Sequence, residues 1–285
     1  MSKMTQAAYV EKFGAKDIIC LLIIALIIVP IMSPLGIPLS ISPRTLEAYN
    51  YIENINKPEC HAYIEVFYDL ASRVELESGL AAITKHLFSK GCKIVFGTIY
   101  APAVVVFPIF MSANEDIFAG KEYGKDYVYL GFIGGTEAAL ASIARSIKGT
   151  LSTDNYGNKL EDLPLLREVD GAKDFDIVVV VSAGADTFAY YVRQWYTPYN
   201  TPLIFVPQAI IAPMVEPYVS AKQAVAMVSG LRGGAEYELL VKRPKLGIAA
   251  MDAMSLTHML IMLFIVGSNI SYWSRRLSSK RGESR

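Results

Sequence analysis

The chain has little of what site chemistry usually requires. Its 285 residues include only three cysteines, three histidines and two tryptophans. Cys20, Cys60 and Cys92 show no C-x-x-C spacing, which argues against a zinc site and against a disulfide framework. A single Cys60–Cys92 bridge stays open if the domain lies outside the cell. His61, His86 and His258 fall at a strand start, in mid-helix and in an apolar run, so none is placed to act as base for a nucleophile. The sequence holds no G-x-G-x-x-G, no Walker A motif and no G-x-S-x-G elbow, and Asp69, Glu77, Asp186 and Glu216 show no D-x-D spacing, so neither a metal nor a cofactor is expected. Lys and Arg number 27 and so do Asp and Glu, a balance that lacks the basic footprint of a nucleic-acid binder.

What is abundant is apolar surface. Hydrophobic residues make up 53% of the chain and the mean hydropathy is +0.33, values that point to a membrane for part of it. Residues 18–39, IICLLIIALIIVPIMSPLGIPL, are uncharged and reach the roughly 20 residues that cross a hydrocarbon core. Lys3, Lys12 and Lys16 precede this run and no A-x-A site follows it, so an uncleaved signal anchor is expected over a cleaved signal peptide. Pro30 and Pro34 should bend or fray its second half. A second span is expected over 246–273, ending in Tyr272-Trp273 and followed by Arg275, Arg276, Lys280 and Arg281. The basic tails, 1–17 and 274–285, place both termini in the cytoplasm and the intervening domain outside; the VKRPK cluster at 241–245 works against that asymmetry.

Between the spans, SPRT at 42–45 opens a linker helix within 40–60, and a β-α alternation fills 61–245. Strands are expected in AYIEVFYDLA, CKIVFGTIYA, YVYLGFI, FDIVVVVSAG and PLIFVPQAI, with an extended or broken segment around Pro108. One long helix is expected from about Tyr218 through MVSGLRGGAEYELLV, and the polar stretch 150–174 reads as a functional loop or a partner-facing one. The expected fold is α/β: a single doubly wound, mainly parallel, five-stranded Rossmann-like sheet between two transmembrane helices.

In such a sheet the site lies at the strands' carboxyl ends. Gathered there are Asp69, Ser72 and Arg73, then Thr98, then Gly134, Gly135, Thr136 and Glu137, then Ser182, Asp186 and Thr187, and finally Gln208. The Gly134-Gly135-Thr136 turn opens a helix and offers free N–H groups to a small anionic ligand, although glycine there also serves close packing. Ser182 in SAGADT reads as a helix-capping group sooner than as a nucleophile. Gly230, Gly233 and Gly234 in GLRGGAEYE permit close helix contact, and Asp252, Ser255, His258 and Asn269 share a face of the second span. Both features suggest self-association or contact with another membrane protein, with the lipid bilayer as the common partner. Glu236 and Glu238 as general bases form the minor reading of the same segment.

KEYGKDYVYLGFIGGTEAAL, VSAGADTFAYYVRQ, MVSGLRGGAEYE and MDAMSLTHMLIMLFIVGSNI resemble the shared blocks of an uncharacterised family of prokaryotic membrane proteins in which one α/β domain sits between terminal transmembrane helices. The resemblance covers most of residues 50–275. It implies the architecture and transfers no activity or site. The function expected from all this is a membrane-anchored, oligomeric scaffold or small-ligand module without catalysis; the alternative is a membrane-bound hydrolase or transferase using the strand-end loops.

Overall fold

A computed structural model describes residues 14–282. The chain forms two units, one of residues 36–248 and one that joins the residues up to 35 with those from 249 on. In chain order the elements are α1 (Ala15–Met32), α2 (Pro43–Glu53), β1 (His61–Phe67), α3 (Arg73–Ser89), β2 (Lys93–Thr98), α4 (Ala103–Ala113), α5 (Glu115–Phe118) and β3 (Tyr127–Phe132). Then follow α6 (Thr136–Arg145), α7 (Ile147–Thr150), α8 (Pro164–Glu168), β4 (Ile177–Ser182), α9 (Ala185–Tyr191), α10 (Thr197–Tyr199), β5 (Leu203–Pro207), α11 (Ala212–Ser220), β6 (Ala226–Met227), α12 (Gly230–Leu240) and α13 (Leu246–Gly282).

The larger unit is a six-stranded, wholly parallel sheet with the order β3-β2-β1-β4-β5-β6. Its strands are buried on both faces, which is why β4 can be an unbroken valine run whose residues have no exposure. Ile64, Phe96, Val179 and Val206 face one core, under α2, α3, α4 and α12. Tyr63, Val95, Val180 and Phe205 face the other, under α6, α9 and α11. Strand order reverses between β1 and β4, the place at the carboxyl edge where sheets of this kind usually bind ligands.

Six strands replace the five expected. β6 has only two residues, paired to Ile204 and Phe205 of β5, too short to show as a run of its own. The single helix expected there is therefore two, because Ser229 is extended and Gly230 takes a left-handed φ of 55°. Pro108 does not break its segment: α4 runs through it, held by buried Val106, Phe107 and Phe110. The long stretch 150–174 is neither free nor partner-facing throughout. Asn155 donates its N–H to the Tyr129 carbonyl, and Leu160, Leu163, Leu165 and Leu166 enter the core, so this segment covers the outer edge of β3.

Cys60 and Cys92 form a disulfide joining the residues just before β1 and β2. The sequence spacing pointed away from a framework, yet parallel pairing of His61 with Lys93 brings the two sulfurs together. α12 lies against α3 through its glycines. A Cβ on Gly234 would stand 2.1 Å from Ser78 Oγ and 2.8 Å from the Gly79 nitrogen. That close approach is made within one chain, to α3, whereas contact between copies was expected.

Among the described residues one stretch, Leu246–Arg276 of α13, is long and apolar enough to cross a membrane, with mean hydropathy 1.8. α1 ends at Met32 instead of 39, because Ser33 is extended and Pro34 cannot continue a helix. Within the smaller unit, Leu35 N–H donates to Asp252 Oδ2 at 2.7 Å, so the acidic group of the polar stripe is held inside its own chain and is 2% exposed. Asn269 Nδ2 likewise donates to its own Ile265 carbonyl at 2.8 Å.

Two substitutions probe this frame. Cys92→Ser should lower folding stability by about 2–4 kcal/mol, seen as a lower melting temperature that reductant no longer shifts. Gly234→Ala should cost about 1–3 kcal/mol by forcing α12 off α3, with no dependence on protein concentration.

Candidate functional site

At the carboxyl edge the expected polar residues are present but engaged. Asp69 Oδ1 accepts from the Ser72 N–H and hydroxyl at 3.1 and 3.0 Å. Arg73 forms a two-pronged pair with buried Glu77 at 2.6 and 3.0 Å. Thr98 Oγ1 accepts the Tyr100 N–H at 2.9 Å, and Ser182 Oγ accepts the Gly184 N–H at 3.0 Å while donating to its carbonyl. These are local turn bonds of the kind hydroxyls and carboxylates make at strand ends. Thr187 is buried, Gln208 gives its carbonyl to the start of α11, and Asp186 stays exposed.

The glycine turn shows the same economy. Gly135 takes φ of 120° and Thr136 φ of 49°, so the chain turns sharply into α6 with Gly134 exposed. In the first turn of α6, Glu137 is gripped by Arg193 at 2.8 Å through both its oxygens and by Gln194 at 2.9 Å. The Arg193 pairing, then Gln194, holds the Glu137 carboxyl down at about 2. A carboxylate thus already sits at the positive end of this helix, and the arginine beside it is committed.

The residue missed in the sequence is Glu65. It lies on β1 opposite Gly97 and Val180, one strand step from the switch between β1 and β4, with no exposure. Oε1 accepts the Ile99 N–H at 2.9 Å and Oε2 the Tyr191 hydroxyl at 2.7 Å. Burial pushes its carboxyl up to about 7, against the Ile99 and Tyr191 bonds, which pull it down. The available signal was a lone glutamate between Ile64 and Val66 in an apolar strand. Above it, the helix after α9 widens into a π turn at Val192–Tyr196, which sets Trp195 against Tyr63 and donates Trp195 Nε1–H to the Leu140 carbonyl at 3.2 Å.

Comparison of the chain with protein-family models, with curated proteins and with solved structures finds no match. The site therefore has to be read from its own geometry.

A cleft of about 720 Å³ lies at the opposite edge, where Tyr51 of α2 and Asn54 and Lys57 after it stand off from Phe175, Asp176 and Pro202 before β4 and β5. Volume and topology disagree here. The carboxyl edge has the stronger claim, because the cleft is open and its ionic pair, Lys57 with Asp176, is satisfied internally. Among the described residues no group of three His, Cys, Asp or Glu side chains could hold a metal ion.

GLRGGAEYE has a different task from either one expected. Glu236, 1% exposed, accepts the Ser42 N–H at 3.0 Å and the Ser42 hydroxyl at 2.6 Å, with Arg232 bonded to it at 2.9 Å. Glu238, also 1% exposed, accepts the N–H groups of Lys245, Gly247 and Ile248 at 2.9 to 3.0 Å. One helix thereby anchors both connectors, the segment that opens α2 and the start of α13. Gly230 faces Ala209 and Glu75, and Gly233 faces Val228, both within the unit. Ser255 is half-buried and His258 exposed on α13.

Glu65 yields a pH test. A carboxyl whose folded value is raised contributes most when neutral, so its contribution is complete below about 4.5 and is lost as pH rises to about 7. Denaturant unfolding should show stability falling across that window by up to about 3 kcal/mol, and Glu65→Gln should flatten it.

Proposed function

We propose that this chain is a membrane-anchored, non-catalytic α/β module with two spans, its termini in the cytoplasm and its domain on the oxidising side. The observation that carries the reading is the buried Cys60–Cys92 disulfide in a chain that also has an apolar helix of spanning length. Such bridges persist outside the cytosol. α1, apolar from Ile18 to Met32, is short for a crossing by itself, and in this reading the uncharged residues 33–39 complete the second span, as the resemblance to the membrane-protein family implies.

Of the positive cluster at 241–245, Lys242 and Lys245 are exposed and still count against this orientation, whereas Arg243 is buried. Arg243, 5% exposed, is bonded to Asp116 through two nitrogens at 2.8 Å and to Asn114 at 2.9 Å, so its charge is neutralised in the domain. The absence of a catalytic role rests on the engaged state of Asp69, Arg73, Glu137 and Ser182. A module of this kind acts by holding something near the membrane, and His258, exposed on an apolar helix, favours a neighbouring helix as one such contact.

The orientation is tested in intact cells with Cys20 replaced. A cysteine at Tyr156→Cys should react with a membrane-impermeant maleimide without lysis. Reaction only after lysis, or reduced Cys60 and Cys92 in freshly isolated protein, would reverse the assignment.

A further inference from the structure

The domain's exposed surface is sorted by edge. Leu70 and Val74 after β1, Val105 after β2, Phe132 at the end of β3, and Ile210 and Met214 after β5 are all exposed, Ile210 by 83% and Met214 by 63%. Each belongs to a strand end or to the loop or first helical turn that follows it, so parallel topology puts all six on the carboxyl edge. The opposite edge differs in kind. Among the described residues, the turns that lead into the strands expose Lys57, Glu59, Lys125 and Lys222, with Tyr156, packed on Tyr123 ahead of β3, as the large apolar side chain exposed near them.

Charge at the apolar edge is withdrawn. Arg73 is paired with Glu77, Glu137 with Arg193, and Glu75 accepts the Ala209 N–H at 2.6 Å. Arg193 and Arg232 stay exposed at this edge but are each paired, with Glu137 and Glu236, and Asp186 is exposed beside them. Large apolar side chains exposed together on one edge point to an interaction surface.

The occupant follows from where the chain enters the domain. α12 starts directly after β6, so its first turn lies at the carboxyl edge, and there Arg232 Nη2 donates to Ser40 Oγ at 3.2 Å. The incoming connector thus meets the domain on the apolar side. The outgoing one turns toward the same side: Glu238 holds the start of α13, and a Cβ on Gly247 would lie 3.0 Å from the nitrogen of Ala235, nearer the first turn of α12.

We propose that the carboxyl edge of the sheet rests on a lipid surface, with Leu70, Val74, Val105, Phe132, Ile210 and Met214 entering the interfacial layer. The bilayer is the chosen occupant because the chain carries its own spanning-length helix and because the exposed cations of the rim, Arg193 and Arg232, are each paired with a carboxylate, which suits zwitterionic lipid. This rests on the membrane anchoring proposed above, and it adds which face is covered and by what.

The test uses the full chain with Cys20→Ser, the native disulfide kept, in nanodiscs of phosphatidylcholine. Single cysteines at Val105→Cys, Ile210→Cys, Lys125→Cys and Lys222→Cys carry a polarity-sensitive fluorophore. Lipids brominated near the head of the acyl chain should quench the 105 and 210 probes at least about twofold more than those at 125 and 222, as for groups sunk several ångströms into the interface. Equal quenching at all four positions, with iodide reaching the 105 and 210 probes freely, would overturn the proposal. So would rim probes shielded from iodide yet untouched by bromolipid, because a protein then covers the rim. Release of the chain from membranes by carbonate would instead defeat the anchoring itself.

Discussion

Two buried carboxylates on α12 fix the places where the chain passes in and out of the α/β domain. A carboxylate taken out of water is unfavourable by several kcal/mol unless hydrogen bonds replace its hydration. Glu236 and Glu238 meet that demand in different ways. Desolvation raises the Glu236 carboxyl, but bonds from Ser42, Thr45 and Arg232 outweigh it and leave it below the ordinary value. Desolvation also raises Glu238, and there the N–H groups of Lys245, Ile248 and Gly247 recover only part of the loss. The first carboxylate is balanced by a cation and the second by backbone dipoles at a helix start, where negative charge is favoured. Removing either would strand N–H groups on a connector, so the cost falls on the joint and not only on the helix.

That arrangement explains the glycines beside them. Gly233 and Gly234 have no side chain to hold α12 off α3, while Glu236, across the helix from Gly234, turns to Ser42, and Glu238, one turn on from Gly234, reaches the Gly247 N–H. The same face then carries α2, with Ala48 and Ile52 buried beneath it. His86 joins the layer by bonding the Tyr237 hydroxyl at 2.9 Å and Glu53 at 2.8 Å. Sheet, helix layer and connectors are thus locked in that sequence, and the carboxyl edge is left as the face without a polar covering.

What the sequence revealed depended on how local the determining interaction was. β1, β3 and β4 were legible because β-branched runs bounded by turn residues need no partner to be seen, and Ser42 with Pro43 marked the start of α2 for the same reason. β6 was hidden because two residues carry no period, and the continuity of α4 through Pro108 depends on phenylalanines packing against the sheet. Cys60 and Cys92 are 32 residues apart and meet only through strand register. The close approach at Gly234 was legible as chemistry, but its neighbour was not, since small residues announce contact without saying with whom. The polar stripe of α13 misled in a related way: Asp252 was counted as unmet because residues 33–39 were assigned to a helix that could not have offered the Leu35 N–H.

Glu65 shows how a structural and a functional reading of one residue can be weighed on geometry. Its two oxygens join β1, the loop after β2 and the end of α9, three segments that meet at the point where the sheet changes direction. An apolar residue would fill the same volume but would leave the Ile99 N–H buried without an acceptor, which costs about 1–3 kcal/mol. A glutamine would satisfy that N–H, so structure alone requires an amide or a carboxyl and does not require a titratable group. The carboxyl form carries an extra burden, because burial works against its charge across the range of ordinary pH. A side chain that is more demanding than its structural task needs, set at the topological switch of the sheet, is the feature of this domain that structure by itself does not account for.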